Sequence, residues 1–196
     1  MKGKTPNGTN KIRSFIALEL SDEARAELSR IEGILEKAGA NVKWVKPESI
    51  HLTLKFLGYV TEEKVASITK RLERIASECA PFDVTLSNIG VFPGWGYPRV
   101  IWIGTEEGSD KVKDLAKLVE EAMAEEGFEK EKRPFKSHLT VGRVRSGKNK
   151  DRLKEEAQSI KVKPASSHIK RIVLFKSDLS PKGAVYTPLF TANFSA

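Results

Sequence analysis

The stretch SIHLTL at residues 49–54 recurs as KSHLTV at residues 136–141, which sets His51 and His138 in the same context 87 positions apart. Each copy reads His-Leu-Thr followed by an aliphatic residue. A segment repeated in this way indicates a repeated architectural unit. We therefore predict two similar lobes, each built around one copy of the motif.

Both copies have the pattern of a strand with one polar face. Side chains on a strand alternate between its two faces, so His51 and Thr53 are expected to share one face, as are His138 and Thr140. The opposite face of the first copy is expected to carry the apolar residues Leu52, Leu54 and Phe56. If the two strands meet across a pseudo-two-fold axis, two imidazoles and two hydroxyls converge on one cleft.

The segments around the two copies mix strands with helices. Capping residues followed by acids, and apolar residues at helical spacing, predict helices at 21–38, 61–79, 109–126 and 149–158. Strands are predicted at 12–20, 42–45, 50–57, 82–89, 99–104, 137–144, 169–177 and 184–190. Consecutive strands without an intervening helix favour antiparallel pairing, and the predicted class is α+β.

The composition excludes several kinds of protein. A single cysteine, Cys79, excludes a disulfide framework and a multi-cysteine metal site, and three histidines leave little for a histidine cage. No apolar run approaches the roughly 20 residues that span a bilayer, and no signal peptide is recognisable. We expect a cytoplasmic monomer with no metal and no cofactor. Residues 1–11 are expected to be a disordered extension, and residues 12–196 a single domain.

The chain is basic, with 34 Lys and Arg against 26 Asp and Glu and a net charge of +8. Fixed positive charge attracts phosphate-bearing partners, although a solvated basic surface that binds nothing is the alternative. Basic stretches at 130–136 and 143–150 flank the second copy of the motif on both sides. The candidate contacts for a nucleic acid in these flanks are Lys132, Arg133, Arg145 and Lys148.

Paired histidines and threonines suit chemistry on a phosphodiester. One imidazole can accept a proton from the attacking group, while the other, protonated, supplies a proton to the leaving oxygen. Histidine exists in both forms near neutral pH because its ordinary pKa is about 6.5. Threonine hydroxyls can donate to the non-bridging oxygens, and a guanidinium can neutralise the charge that develops.

At these residues the sequence resembles the two-histidine (2H) phosphoesterase superfamily, which is marked by a pair of His-x-Thr-x motifs. More narrowly, it resembles the LigT-like RNA 2′,3′-cyclic phosphodiesterases, also described as 2′-5′ RNA ligases. The likeness covers about residues 12–190, and Ser137 departs from it, since the family usually has proline there. The segments that carry the likeness are Trp44–Gly58, Phe92-Pro93, Pro98–Trp102, Arg133–Phe135, His138–Arg143 and Leu174–Tyr186.

The resemblance implies a bilobal fold, with an antiparallel sheet and flanking helices in each lobe and the catalytic cleft between the lobes. It also implies metal-independent opening of an RNA 2′,3′-cyclic phosphate to a 2′-phosphate, with reversible 2′-5′ ligation as a side reaction. His51 would protonate the departing 3′-oxygen and His138 would activate water, while Thr53 and Thr140 hold the phosphate. RNA with 2′,3′-cyclic phosphate ends, tRNA halves among them, is the expected partner.

Arg143 falls at the arginine that follows the second motif and would also bind the phosphate. Five residues after His138, a regular strand would point this side chain to the opposite face. A bulge or a strand end at Gly142 is therefore needed.

Several features leave alternatives open. The substrate could instead be a small nucleotide or ADP-ribose cyclic phosphate, or the chain could be a non-catalytic RNA-binding module of the same fold. Trp95 and Tyr97 could stack on a base or pack over the core, and Trp102, like Phe56, is expected in the core. His168 is interpreted as a surface residue, and Cys79 as inert.

Overall fold

The computed structural model describes residues 11–180 and 183–195 of the chain. The disordered extension expected at residues 1–11 lies outside these residues apart from Lys11, which is exposed. The four α-helices in the described part are α1 (Asp22–Leu35), α2 (Glu62–Ser77), α3 (Ser109–Glu125) and α4 (Lys150–Ser159). Its nine strands are β1 (Ile12–Leu18), β2 (Val42–Trp44), β3 (Leu52–Val60), β4 (Phe82–Phe92), β5 (Val100–Thr105), β6 (His138–Val144), β7 (Ser166–Ile169), β8 (Arg171–Ser180) and β9 (Gly183–Asn193).

Local sequence determines where the first two helices begin. The hydroxyl of Ser21 accepts a hydrogen bond from the backbone N–H of Ala24, and Thr61 does the same for Lys64. Each cap satisfies one of the backbone donors that a helix start leaves without a partner.

The strands differ more than the helices from the predicted elements. β4 continues to Phe92, and the short strand β7 is not predicted as a separate element.

The strands form one antiparallel sheet in the order β7-β4-β5-β6-β3-β1-β8-β9, and β2 pairs with β6. The elements β1, α1, β3, α2 and β4 have counterparts about 87 residues later in β5, α3, β6, α4 and β8. The order of strands in the sheet follows this repeat. β1 and then β8 lie beside β3, and their counterparts β5 and then β4 lie beside β6. The α+β class and the duplication are confirmed.

The two repeats exchange elements. Strand β8 of the second repeat completes the lobe of β1 and β3, and β4 of the first repeat completes the lobe of β5 and β6. The helices are exchanged in the same way, because α3 of the second repeat contacts β3 and α2, whereas α1 of the first repeat contacts β7 and α4. Each lobe is thus built from both halves of the chain.

The faces of the sheet have different roles. On β1, Ile16 and Leu18 belong to the large core beneath the helices, while Phe15 and Ala17 belong to a small apolar cluster on the opposite face. Alternation along β1 produces this division. The helix-free face is the one on which the candidate functional residues lie.

Candidate active site

The two motifs meet where the lobes join. β3 and β6 pair through Leu52 and Leu139, and both side chains are fully buried in the core beneath the helices. Their neighbours in each strand project from the opposite face because side chains alternate. The antiparallel register sets His51 across from Thr140, and Thr53 across from His138. The structure therefore brings all four side chains to one side of the junction.

The two imidazoles are held in the same way. Nδ1 of His51 lies 2.9 Å from the carbonyl oxygen of Ser49, and Nδ1 of His138 lies 2.7 Å from that of Lys136. A carbonyl oxygen only accepts, so Nδ1 carries the hydrogen in each ring. This leaves Nε2 of both rings available to exchange a proton with a substrate.

The segments that precede the histidines are anchored from other elements. One guanidinium nitrogen of Arg25, in α1, donates to the carbonyl oxygens of Pro47 and Ile50 and so fixes the short turn before His51. Before His138, the hydroxyl of Thr105 donates to the buried hydroxyl of Ser137 at 2.7 Å. This hydrogen bond to β5 restrains the residue immediately before His138.

Aromatic rings surround His51. Its imidazole stacks on Phe15 at 4.5 Å between ring centroids and meets the edge of Tyr186 at 5.0 Å. Burial lowers the pKa of His51 from its ordinary 6.5 to about 4; the hydrogen bond to Ser49 opposes the shift and the charge of Arg25 adds to it. His51 is therefore neutral at neutral pH in the free protein.

His138 has a more polar setting. Phe92 and Trp102 present ring edges to it at 5.1 and 6.5 Å, and Nζ of Lys136 lies 4.0 Å from the centroid of the Trp102 ring. Burial lowers the pKa of His138; the hydrogen bond to the Lys136 carbonyl opposes the shift, and the charges of Lys136 and Arg143 add to it.

A bulge in β6 turns Arg143 toward the histidine face. Thr140 pairs with Trp102 and Gly142 with Ile101, so one residue of β6, Val141, has no partner on β5. The extra residue shifts the alternation by one position. Arg143 consequently shares a face with His138 and Thr140, and the irregularity that it requires lies one residue before the expected Gly142.

The same bulge occurs in the first motif. On β1, Ala17 pairs with Thr53 and Ile16 with Lys55, which leaves Leu54 as the extra residue. The counterpart of Arg143 in the first half is therefore Phe56, which is 56% exposed on the histidine face. The expectation that Phe56 lies in the core is wrong because the bulge moves it to the other face, whereas Trp102 is buried as expected.

Neither a metal site nor a membrane helix is found in the described ranges. No three His, Cys, Asp or Glu side chains in residues 11–180 and 183–195 are grouped so that they could hold a metal ion. Over the same residues, no helix is both long and apolar enough to cross a membrane. His168 lies exposed on β7, 2.9 Å from Asp83, and burial raises the pKa of the Cys79 thiol.

Comparison with known proteins agrees with this geometry. A family model described as LigT like phosphoesterase matches the chain twice, at residues 18–102 and 103–186, one match for each repeat. The chain belongs to the LigT-like phosphoesterase family. It is therefore an enzyme of the phosphoesterase class, with a duplicated sheet.

Relatives and solved structures extend the likeness over nearly the whole chain. The RNA 2′,3′-cyclic phosphodiesterase of Methanothermobacter thermautotrophicus is 37% identical over 91% of this chain and 97% of its own length. The protein of that name from Archaeoglobus fulgidus is 38% identical over 91% and 98%. The crystal structure of TT0787 of Thermus thermophilus has a TM-score of 0.78 at 28% identity, covering 93% of this chain and 98% of its own. That of Escherichia coli LigT complexed with 3′-AMP shares the fold, with a TM-score of 0.74 at 24% identity, covering 95% and 100%.

The candidate RNA-contacting residues do not form one group. Lys132 and Arg133 precede β6 whereas Arg145 and Lys148 follow it, so the two basic flanks of this phosphoesterase lie at opposite ends of the strand. The two loop aromatics also separate: Tyr97 lines a cavity of about 230 Å³ together with Arg145. Trp95 lines a different cavity of about 490 Å³, between β4 and the segment from Ala157 to Pro164.

Sequence reasoning missed a buried ion pair that supports the second motif. Nζ of Lys55 lies 2.8 Å from a carboxylate oxygen of Glu120 and donates to the carbonyl oxygen of Glu129. The backbone N–H of Glu131 donates to the same carboxylate. The pair therefore ties β3 and α3 to the connection that leads into His138. The bulge at Leu54 lies immediately before Lys55, so a regular strand pattern gives no indication of this contact.

Proposed function

We propose that His51 and His138 are the acid–base pair that hydrolyses RNA 2′,3′-cyclic phosphate ends to 2′-phosphates in this phosphoesterase. The observation that carries the proposal is the matched pair of imidazoles at the β3–β6 junction. Each ring uses Nδ1 to hydrogen-bond a backbone carbonyl oxygen, which leaves Nε2 for the substrate. The RNA substrate is inferred from the relatives, which are RNA 2′,3′-cyclic phosphodiesterases.

In the proposed reaction, Nε2 of His138 takes a proton from water as the water oxygen bonds to phosphorus. The bond between phosphorus and the 3′-oxygen breaks, and Nε2–H of His51 gives its proton to that oxygen. The phosphate stays on the 2′-oxygen. Attack and departure on opposite sides of phosphorus require groups on two sides of the substrate, which histidines from two lobes can supply.

The low pKa of His51 constrains this assignment. With a pKa of about 4, the ring of the free protein holds almost no proton at neutral pH. An anionic phosphodiester beside the ring favours the charged form and raises its pKa. The acid is therefore formed in the enzyme–substrate complex, with the proton taken up as the substrate binds.

The remaining polar groups of the cleft are assigned to the phosphate. Thr53 and Thr140 lie across the junction from the two histidines and would donate to the non-bridging oxygens. Arg143, brought to the same face by the bulge, would neutralise the charge that develops on them. With an RNA 5′-hydroxyl in place of water, the same proton transfers would form a 2′-5′ linkage, so we include reversible ligation in the proposal.

We extend the proposal to the molecule as a whole. Residues 12–196 act as a single domain, in the cytoplasm and as a monomer, on RNA ends such as those of tRNA halves, without a metal or a cofactor. A small nucleotide substrate is the alternative, and the dependence of kcat/KM on oligonucleotide length separates the two.

The test uses a nucleoside 2′,3′-cyclic phosphate and an oligonucleotide with a cyclic phosphate end, both in the presence of EDTA. We expect turnover of both substrates and a 2′-phosphate as the product, identified by phosphorus NMR. A 3′-phosphate product would reverse the assignment of the leaving oxygen. Activity that appears only when zinc or manganese is added would contradict the proposed metal-independent mechanism.

A further inference from the structure

Positive side chains collect where β6 leaves the cleft. Lys43 of β2 pairs across from Arg143, and Arg145 follows two residues later, with exposed side chains at all three positions. Arg99 and Lys150 lie beside Arg145 around one cavity. In residues 11–180 and 183–195, none of these five cations forms a salt bridge, whereas others are paired with carboxylates, among them Arg30, Lys55, Lys64, Arg71 and Arg171.

The cavity has the lining expected of a phosphate and base site. It has a volume of about 230 Å³ and is bounded by residues 96–99, 144–147 and 150, a set that includes three cations and no carboxylate. Tyr97 is 64% exposed, and the guanidinium of Arg99 lies 4.5 Å from the centroid of its ring. Helix α4 begins at Lys150, which lines the cavity, whereas Asp151, the acid of its first turn, does not.

A continuous row of side chains joins the cleft to this cavity. Along β6, His138, Thr140 and Arg143 lie on one face, and Arg145 continues the alternation beyond the buried Val144. At about 3.3 Å per residue, the distance from His138 to Arg145 is roughly 20 Å. That is long enough for a few nucleotides of an extended single strand.

We infer that the cavity lined by Tyr97, Arg99, Arg145 and Lys150 binds the RNA strand upstream of the cyclic phosphate. Tyr97 stacks on a base, the three cations contact the backbone, and Lys43, across from Arg143, lies between the cavity and the cleft. A positive groove interleaved with an aromatic platform is how proteins grip single strands without reading sequence. If the cavity bound only one small anion, the cations between the cavity and the histidines would have no part in the binding. Their presence favours an extended strand. The inference rests on the proposed function and adds to it the path of the strand outside the cleft and the residues that hold it.

The experiment compares kcat/KM on a nucleoside 2′,3′-cyclic phosphate with that on oligonucleotides of increasing length that end in the same group. We expect kcat/KM to rise with length until the strand reaches the cavity. Tyr97→Ala and the double variant Arg99→Gln/Lys150→Gln should each lower kcat/KM on the longer oligonucleotides by about tenfold. Neither variant should change kcat/KM on the mononucleotide. The double variant should also reduce the salt slope of oligonucleotide binding by about 0.7 for each lost phosphate contact. Lys117→Gln, an exposed cation on α3, controls for general loss of charge.

The outcomes separate this inference from the proposed function. If the mononucleotide is hydrolysed but length brings no gain, or if the variants behave like Lys117→Gln, the strand does not use this cavity. If the variants weaken both substrates equally, the cavity is a small-anion site and the inference fails. If no substrate is hydrolysed, the proposed function fails, and fluorescence anisotropy with a 2′-phosphate-ended oligonucleotide still tests the cavity, with weaker binding of the variants expected.

Discussion

The halves of the molecule around His51 and His138 agree in some features and differ in others. Both rings bond through Nδ1 to the carbonyl oxygen two residues earlier, and both strands bulge three residues after the histidine. Two residues beyond the bulge, however, one half presents the exposed ring of Phe56 and the other the guanidinium of Arg143. The duplication has kept the contact that orients each imidazole and has let the surroundings diverge into an aromatic side and a cationic side.

The two rings differ in what accompanies their burial. Burial lowers the pKa of both: that of His51 to about 4, with the charge of Arg25 adding to the shift, and that of His138 with the charges of Lys136 and Arg143 adding to the shift. Two equivalent histidines would compete for the same proton. Different settings allow one ring to act as acid and the other as base.

The most severe test of the comparison removes each imidazole in turn. His51→Ala and His138→Ala should each lower kcat by about 10²–10⁴-fold while the circular dichroism spectrum stays unchanged, because each ring supplies one proton transfer. A substrate whose 3′-oxygen is replaced by sulfur, a better leaving group, should rescue His51→Ala far more than His138→Ala. Equal rescue would mean that the halves are not divided into acid and base. Activity within about threefold of the unaltered enzyme in either variant would remove that residue from the mechanism.

Substitutions at the two divergent positions, Arg143 and Phe56, should give the next largest effect. Arg143→Ala should lower kcat/KM by about 10²–10³-fold, mostly through kcat, because the guanidinium acts on charge that develops in the transition state. Phe56→Ala, at the matching position, should cost only about threefold and mostly through KM, since a ring can only add contact area. Arg143→Lys should recover part of the loss. Equal effects on kcat at the two positions would contradict the division into a cationic and an aromatic side.

The smallest effect is on stability. The unfolded chain protonates histidine near its ordinary pKa of 6.5 and the folded protein protonates His51 only near pH 4, so the unfolded state binds more protons between these values. The contribution of His51 to the free energy of unfolding, measured with urea as the difference between the unaltered protein and His51→Gln, should therefore fall by about 2–3 kcal/mol as the pH drops through this window. The carboxyl of Glu32, whose pKa burial raises to about 7, opposes this fall in both proteins, which is why the difference is compared. His168→Gln, at an exposed site, should match the unaltered protein. A pH dependence in His51→Gln that matches that of the unaltered protein would assign the titration to another group.

The sequence predicted which side chains gather at the β3–β6 junction better than it predicted the local geometry of the strands there. The repeat of His-Leu-Thr places the two histidine–threonine pairs correctly, because alternation along a strand is a local rule. The same rule assigns Phe56 to the wrong face, because a bulge depends on the partner strand and leaves no mark in the alternation. Tyr186 and Phe15 were missed as neighbours of His51 because their contacts join distant parts of the chain.

The exchange of strands between the repeats has a consequence for synthesis of the protein. Ser14 of β1 pairs with Lys176 of β8, so β1 cannot complete its pairing until β8 has been synthesised. The contact order is correspondingly high, and closing so long a loop costs entropy before the pairing repays it. Neither repeat can complete a lobe by itself. The nascent chain therefore carries an unfinished sheet edge at β1 until β8 has emerged from the ribosome, and the lobe of β1 and β3 is completed only then.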